Sequence, residues 1–276
     1  MTIAKTVLIT GCSSGIGYAT AIELKSRGHK LIASARKAED VARLQQEGFT
    51  AIQLDLADSK SIKTAVKKAL ELSGNKIDVL FNNSGFGQPG AVEDLSREAL
   101  RFQFETNVFG TQELTNLLIP VMRKQGHGRI IYNSSILGLV AMSYRGAYNA
   151  SKYALEGLAD TLRLELHGSN ISVSLIEPGP ILSKFRENSF TLYKQNINTE
   201  NSFHKDTYKS MEDRLQKEGA AVPFTLPAKA VANKVTHAVE SDCPKIHYYV
   251  TFPTYLFAYL KRLLPVSCLD NLLRRV

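Results

Sequence analysis

A chain of 276 residues is long enough to bury a full hydrophobic core without disulfides or metal, and its length suits one large α/β domain. With 44% hydrophobic and 22% charged residues, the composition excludes wholesale disorder, collagen-like repeats and a coiled coil. The 34 basic residues outnumber 26 acidic ones for a net charge of +8, yet they are dispersed and no nucleic-acid-reading motif appears, so no nucleic-acid partner is expected.

The first residues, MTIAKTVLIT, run directly into a strand-like segment, with neither the apolar region nor the cleavage site of an export signal. Cys12, Cys243 and Cys268 are too few and too scattered for a disulfide framework or a zinc site. A reducing cytoplasm is the expected compartment. No repeat or composition break divides the chain, so residues 1–276 are expected to form a single domain.

Val/Ile/Leu-rich runs at residues 6–10, 30–35, 50–54, 77–82, 129–134 and 171–177 alternate with segments of helical length. Buried strands alternating with helices predict βαβ units and a Rossmann-type, doubly wound parallel sheet of the α/β class. After the first strand, Thr10-Gly11-Cys12-Ser13-Ser14-Gly15-Ile16-Gly17 opens a helix near Gly15. Glycines there permit a tight turn and let a pyrophosphate approach the helix amino end, whose free amides favour an anion.

The second strand ends in Ala35-Arg36-Lys37, and no acidic residue occurs between Lys30 and Ala38. An acidic residue at this place accepts hydrogen bonds from ribose hydroxyls, whereas a basic one binds a 2′-phosphate. NADPH is therefore expected, with Arg36 as phosphate ligand and Lys37 as the weaker candidate; Arg36 as a solvated loop residue is the plain alternative. A short helix is predicted over 38–46, another starts at Asp58, and Ser96 precedes a long helical pattern over 98–124.

Tyr148 and Lys152 stand four residues apart, on one face of a helix. A nearby ammonium favours the phenolate of a tyrosine, which can then exchange a proton with a substrate oxygen. Residues 181–218 are polar and lack a strand period, and read as a substrate-side insertion or lid. Pro227 opens a helix through Val239, residues 247–250 suit a final strand, and 254–264 a terminal apolar helix. The patch over 250–265 is too short to span a membrane. The aromatic and basic segment 252–276 suits an interfacial anchor, a cap over the pocket or an oligomer contact.

TGCSSGIG, Asn82-Asn83-Ser84-Gly85 and Tyr148-Asn149-Ala150-Ser151-Lys152 resemble the TGxxxGxG, NNAG and YxxxK motifs of the short-chain dehydrogenase/reductases, in order and spacing over about residues 5–185. Ser84 replaces the usual alanine. The resemblance implies NADP as cofactor, held by Gly11, Ser13, Ser14, Gly15, Ile16, Gly17, Arg36, Asp55, Leu56, Asn83, Gly85, Tyr148, Lys152, Pro178, Gly179, Ile181 and Ser183. Asp55 takes the position that contacts the adenine amino group, against a helix-capping role for Asp55 or Asp58. Ser183 replaces the common threonine that contacts the carboxamide. The implied catalytic set is Asn107, Ser135, Tyr148 and Lys152. Ser135 stands at the family spacing for the serine that bonds the substrate carbonyl, with Ser134 as its nearest rival. Asn107 matches the residue whose backbone holds a water joined to the lysine. No metal is implied.

CSSGIG, Arg36, SLIEPGP and the carboxyl-terminal KRLLP are most similar to bacterial NADP-dependent aldehyde reductases of this family. They are also similar to the 17β-hydroxysteroid and retinol dehydrogenase branch and to acyl-dihydroxyacetone-phosphate reductases. The implied activity is NADPH-dependent reduction of an aldehyde or ketone on an apolar or lipid-like molecule. Leu137, Leu139, Val140, Met142 and Tyr144 suit either a pocket wall or core. Family likeness also implies a homo-oligomer. A non-catalytic NADPH-binding regulator is the rival reading, although the serine, tyrosine and lysine all remain. A nucleotide-sugar epimerase or dehydratase would need a larger substrate domain and a different glycine spacing.

Overall fold

The computed structural model describes residues 3–275; Met1, Thr2 and Val276, the ends of the expected domain, lie outside the described residues. The chain runs through β1 (Thr6–Ile9), α1 (Gly15–Ser26), β2 (Lys30–Ala35), α2 (Ala38–Gln46), β3 (Thr50–Gln53), α3 (Ser59–Ser73) and β4 (Val79–Asn82). It continues through α4 (Arg97–Phe104), α5 (Thr111–Gln125), β5 (Gly128–Asn133), α6 (Gly146–Glu165) and β6 (Ile171–Glu177). Then follow β7 (Ile181–Leu182), α7 (Phe185–Asn196), α8 (Lys205–Gln216), β8 (Leu226–Pro227), α9 (Ala228–Glu240), β9 (His247–Tyr249), α10 (Phe252–Leu263) and α11 (Val266–Leu273).

Seven strands form one sheet in the order β3-β2-β1-β4-β5-β6-β9, every pairing parallel. Successive strand residues face opposite sides. Leu8, Ile32, Leu80, Ile130 and Leu175 therefore pack with Ile62 of α3, Leu114 of α5 and Leu155 of α6. Val7, Ile9, Val79, Phe81 and Ile176 pack on the other side with Leu24 of α1 and Val235 of α9. The strand order reverses between β1 and β4, which opens a crevice at the carboxyl ends of the strands. Asp58 caps α3 by accepting from Lys60 N at 2.9 Å, and Ser96 caps α4 by accepting from Ala99 N at 3.1 Å.

Three expectations need correction. The helix predicted over 98–124 is broken by a π-helical turn at Glu105–Gly110. Its cause is contact rather than local preference: Asn107 bonds the backbone of Phe86, and Gly110 lies directly on the Leu56 carbonyl. The insertion is not strandless, since Ile181 pairs with Leu226 and Leu182 with Pro227. It also contains α7 and α8, which bury Tyr193, Tyr208, Met211 and Leu215 against Ala91 and Ile197, while long polar outer faces dilute the helical pattern. Lastly, the terminal helix starts at Phe252 with Pro253 in its first turn, and a second helix, α11, follows Pro265.

A β-carbon on Gly110 would lie 1.7 Å from the Leu56 carbonyl oxygen, a backbone atom that cannot swing aside. Gly110→Ala is expected to cost about 1–3 kcal/mol of stability through overpacking, read as a lower denaturation midpoint at unchanged slope. A midpoint equal to the parent's would contradict this close approach.

Candidate active site

The glycine loop is fastened to the end of β4. Thr10 Oγ1 accepts from the backbone N–H groups of Asn83 and Ser84, both at 2.9 Å, and Asn83 Nδ2 donates to the carbonyls of Thr10 (2.9 Å) and Gly11 (3.1 Å). Gly17 in α1 sits so close that a β-carbon would lie 2.2 Å from the Gly11 carbonyl oxygen. From α2, Arg43 Nη2 holds the Ser13 carbonyl at 2.7 Å. Ser14 supplies no side-chain cap to α1, and no acidic residue occupies its first turn. The amino end thus keeps its donors and positive potential for an anion, which fits a dinucleotide pyrophosphate.

Arg36 is exposed beyond β2, where its carbonyl accepts from Gln53 Nε2 at 3.0 Å. Among the described residues its guanidinium enters no ion pair, whereas Lys37 pairs with Glu39 at 3.3 Å. Asp55 Oδ1 accepts from Ala57 N at 2.9 Å, an Asx-type turn that shapes the loop through the buried Leu56. Asp58, not Asp55, caps α3. On the opposite side, Ser183 Cβ lies 3.2 Å from where a Gly15 β-carbon would stand, so this serine faces the glycine loop. Ile181 packs on the α1–α9 side of the core. The Pro178 carbonyl accepts from Ile136 N at 2.8 Å, joining the Pro178-Gly179 turn to the segment after Ser135.

Tyr148 and Lys152 both stand on α6, with Lys152 Nζ 5.6 Å from the centre of the Tyr148 ring. Burial pushes the phenol up to about 12, and the nearby Ser135 hydroxyl opposes the rise. Burial brings the lysine down to about 8, opposed by Glu156. Lys152 Nζ donates to the Asn133 carbonyl at 2.6 Å, and Asn133 Nδ2 donates to Asn83 Oδ1 at 3.0 Å, linking the lysine to the glycine loop. The two serines differ in their partners: Ser134 donates to Glu156, whereas Ser135 Oγ accepts from Leu137 N at 3.1 Å and donates to the Pro178 carbonyl at 3.5 Å, with its hydroxyl near enough to the Tyr148 phenol to influence it. Asn107 is buried in the π turn, where Oδ1 accepts from Phe86 N (3.1 Å) and Nδ2 donates to Phe86 O (2.9 Å) and Ser151 Oγ (3.2 Å). Gly85 lies against it.

The sequence reading missed Glu156. With the fully buried Glu177 and the partly exposed His247 it forms a cluster whose potential ligand atoms lie within 4.8 Å of one another. His247 Nδ1 meets Glu177 Oε1 at 3.0 Å, while Glu177 Oε2 has no hydrogen-bond partner among the described residues. Burial, then repulsion from Glu177, holds the Glu156 carboxyl well above the usual carboxylate range. A proton on Glu156 lowers the charge repulsion between the two carboxyls. A carboxyl raised on folding contributes stability that is fully present below its unfolded pKa and is lost as pH rises through the folded value. Glu156→Gln mimics the protonated acid. The thermal midpoint of the parent is therefore expected to fall relative to this variant between pH 6 and pH 9; parallel curves would refute a protonated Glu156.

Comparison with known proteins agrees with this geometry. Residues 5–193 match the short chain dehydrogenase family model. The chain belongs to the short-chain dehydrogenase/reductase family. It is an oxidoreductase of that family, 43% identical over 98% of its length to the uncharacterized oxidoreductase YbbO of Escherichia coli K12, of which it covers 94%. Human 17-beta-hydroxysteroid dehydrogenase type 1 is 32% identical over 89% of this chain and 77% of its own length. Human retinol dehydrogenase 8 is 37% identical over 66% and 60% respectively. Among solved structures, a short-chain dehydrogenase from Streptomyces avermitilis matches with TM-score 0.79 at 27% identity, covering 99% of this chain and 94% of that one. A family member from Burkholderia phymatum in complex with NAD gives 0.79 at 26% identity, covering 94% and 92%.

On this short-chain dehydrogenase scaffold, two further layers enclose the tyrosine. Phe185 of α7 meets the Tyr148 ring edge-on at 5.2 Å. Ile136, Leu137, Val140 and Phe257 form an apolar cluster on which Tyr148, Met142, Leu260, Leu269 and Leu273 pack. The segment after Ser135 is thus divided: Leu137, Val140 and Met142 join the carboxyl-terminal helices, whereas Tyr144 turns to α7 and α8 and packs with Tyr193 and Tyr208. From residues 252–275, Phe257, Leu260, Leu269 and Leu273 share that apolar cluster with Tyr148, while Phe252, Tyr259, Leu263 and Val266 stay exposed. No helix among the described residues is long and apolar enough to cross a membrane.

Proposed function

We propose that this protein reduces an aldehyde or ketone on an apolar or lipid-like molecule with NADPH, reversibly, using Tyr148 as the acid. The convergence of Ser135, Tyr148 and Lys152 beside a glycine loop free of competing caps carries the reading. Arg36, exposed and without an ion pair among the described residues, favours NADPH over NADH. Relatives named for retinol and 17-beta-hydroxysteroids, together with the apolar cluster around Tyr148, support an apolar substrate.

In this reading Gly11, Ser13, Ser14, Gly15, Ile16 and Gly17 receive the pyrophosphate, Asp55 and Leu56 the adenine side, and Asn83 and Gly85 the central part of the cofactor. Pro178, Gly179, Ile181 and Ser183 flank the nicotinamide, which supplies the hydride when bound. Ser135 donates to the substrate carbonyl and supports the negative charge that develops on its oxygen. Tyr148 gives that oxygen its proton. Lys152 binds ribose hydroxyls and favours the phenolate left behind, and Asn107 positions the lysine end of the proton path. We place the protein in the cytoplasm, acting on a small molecule as a homo-oligomer, with the carboxyl-terminal segment as the surface for any membrane contact.

The test is spectrophotometric. NADPH and, separately, NADH are oxidised with medium-chain aldehydes, retinal and keto-steroids as acceptors. Turnover with NADPH in preference to NADH supports the reading; tight NADPH binding without turnover of any carbonyl would favour a regulator.

A further inference from the structure

Glu177 is the last residue of β6 and His247 the first of β9. The two strands run parallel, with Leu175 opposite His247 and Glu177 opposite Tyr249. Glu177, two residues beyond Leu175, and His247 therefore project from one face of the sheet. On that face Leu175 shares a core cluster with Leu155 of α6, and the next residue of the helix is Glu156. Register and helix packing thus bring two carboxyls and an imidazole together, with one potential ligand atom from each within 4.8 Å of the others. Their polar needs are only partly met. Ser134 donates to Glu156, and His247 Nδ1 meets Glu177 Oε1 at 3.0 Å. Glu177 Oε2, on a side chain with no exposed surface, has no hydrogen-bond partner among the described residues. A buried carboxylate left so is costly. The nearby cations are engaged elsewhere or stand off: Lys152 donates to the Asn133 carbonyl, Lys261 lies over the Tyr153 ring, and Arg262 forms no ion pair among the described residues.

We propose that Glu156, Glu177 and His247 bind one divalent transition-metal ion, zinc foremost, with the unpartnered Glu177 oxygen as its anchoring ligand. This goes beyond the reductase reading and does not depend on it. Two carboxylates match the charge of the ion, and the imidazole favours zinc or manganese over magnesium or calcium. Donors about 2.0–2.2 Å from one zinc ion stand roughly 3–4 Å apart, so seating it draws the three side chains slightly together. The ion takes the place of the proton that Glu156 holds in the metal-free protein. His247 is partly exposed and gives the ion an approach from solvent, from which water completes the coordination. The ligands come from α6 one turn past Lys152, from the strand end just before Pro178, and from β9, which leads into α10. The ion is therefore a brace, holding α6 and the carboxyl-terminal helices to the edge of the sheet.

The test is metal binding by the full chain. Chelator-treated protein is titrated with zinc chloride and, separately, manganese chloride, followed by calorimetry and thermal denaturation. One ion per chain is expected, zinc more tightly than manganese, and zinc should raise the thermal midpoint of the parent. His247→Asn and Glu177→Gln should each weaken zinc binding by about 100-fold or more, since even residues that merely support a metal's ligands are worth about 10- to 100-fold. Both should lose the midpoint shift. Glu156→Gln guards against misfolding: it keeps an acceptor for Ser134 and should melt no lower than the metal-free parent at neutral pH, yet zinc should no longer stabilise it. Anomalous diffraction at the zinc edge, from crystals grown with zinc, should place the ion between Glu177 and His247. Absence of zinc binding by the parent would overturn the proposal and leave a buried water to answer Glu177. Binding unchanged in all three variants, or an anomalous peak elsewhere, would overturn it too and assign the zinc to surface groups such as the exposed Cys243 and Cys268. Turnover is not the readout, so failure of the carbonyl reading would leave each of these outcomes as decisive as before.

Discussion

Tyr148→Phe should lower carbonyl reduction by roughly 10²- to 10⁴-fold while leaving NADPH binding close to that of the parent, because it deletes one proton donor and little packing volume. The ring keeps its contacts with Phe185 and the apolar cluster, so folding is preserved and the loss falls on kcat. The pH profile provides a second signature. A phenol pushed up to about 12 stays protonated through the working range and is ready as an acid in the reducing direction. Lys152, brought down to about 8, loses its charge first as pH rises. Reductive kcat/KM should therefore decline above about pH 8, and Lys152→Met should abolish that limb along with most of the rate. Substantial turnover in Tyr148→Phe would mean that another group delivers the proton.

Arg36→Asp should invert the nucleotide preference. Loss of charge-assisted bonds to a 2′-phosphate costs about 1.5–3 kcal/mol, and a carboxylate at the same place repels that phosphate while accepting from ribose hydroxyls. The NADPH-to-NADH ratio of kcat/KM is expected to fall by roughly 10²- to 10⁴-fold, since both effects act in the same direction. Lys37 should not compensate, because Glu39 already engages it at 3.3 Å. Parallel initial-rate measurements with the two nucleotides decide the matter: an unchanged ratio would make Arg36 a solvated loop residue after all.

The parts of this site that sequence alone made legible are those whose residues are close in the chain or tied to a strand end. The glycine loop follows β1 directly, and Tyr148 and Lys152 are one helical turn apart, so period and order were enough to place them. The choice between Ser134 and Ser135 was not local, because it depends on Glu156, a residue of another element that draws Ser134 away. The π turn around Asn107 was hidden for the same reason, since Gly110 must meet Leu56 before that part of the chain departs from an ordinary helix. In the insertion, α7 and α8 bury only a few aromatic and aliphatic side chains against each other, too sparse a stripe to stand out among so many polar residues.

The hydrogen-bonded run from the glycine loop through Asn83 and Asn133 to Lys152 joins the proposed nucleotide seat and the proposed proton chemistry into one mechanical unit. Arg36 lies outside that run, on the rim beyond β2. On the proposed reading, choice of electron currency is therefore a detachable module, open to redesign or evolutionary drift without rebuilding the reaction centre, whereas a change at Asn83 or Asn133 is expected to disturb both functions together.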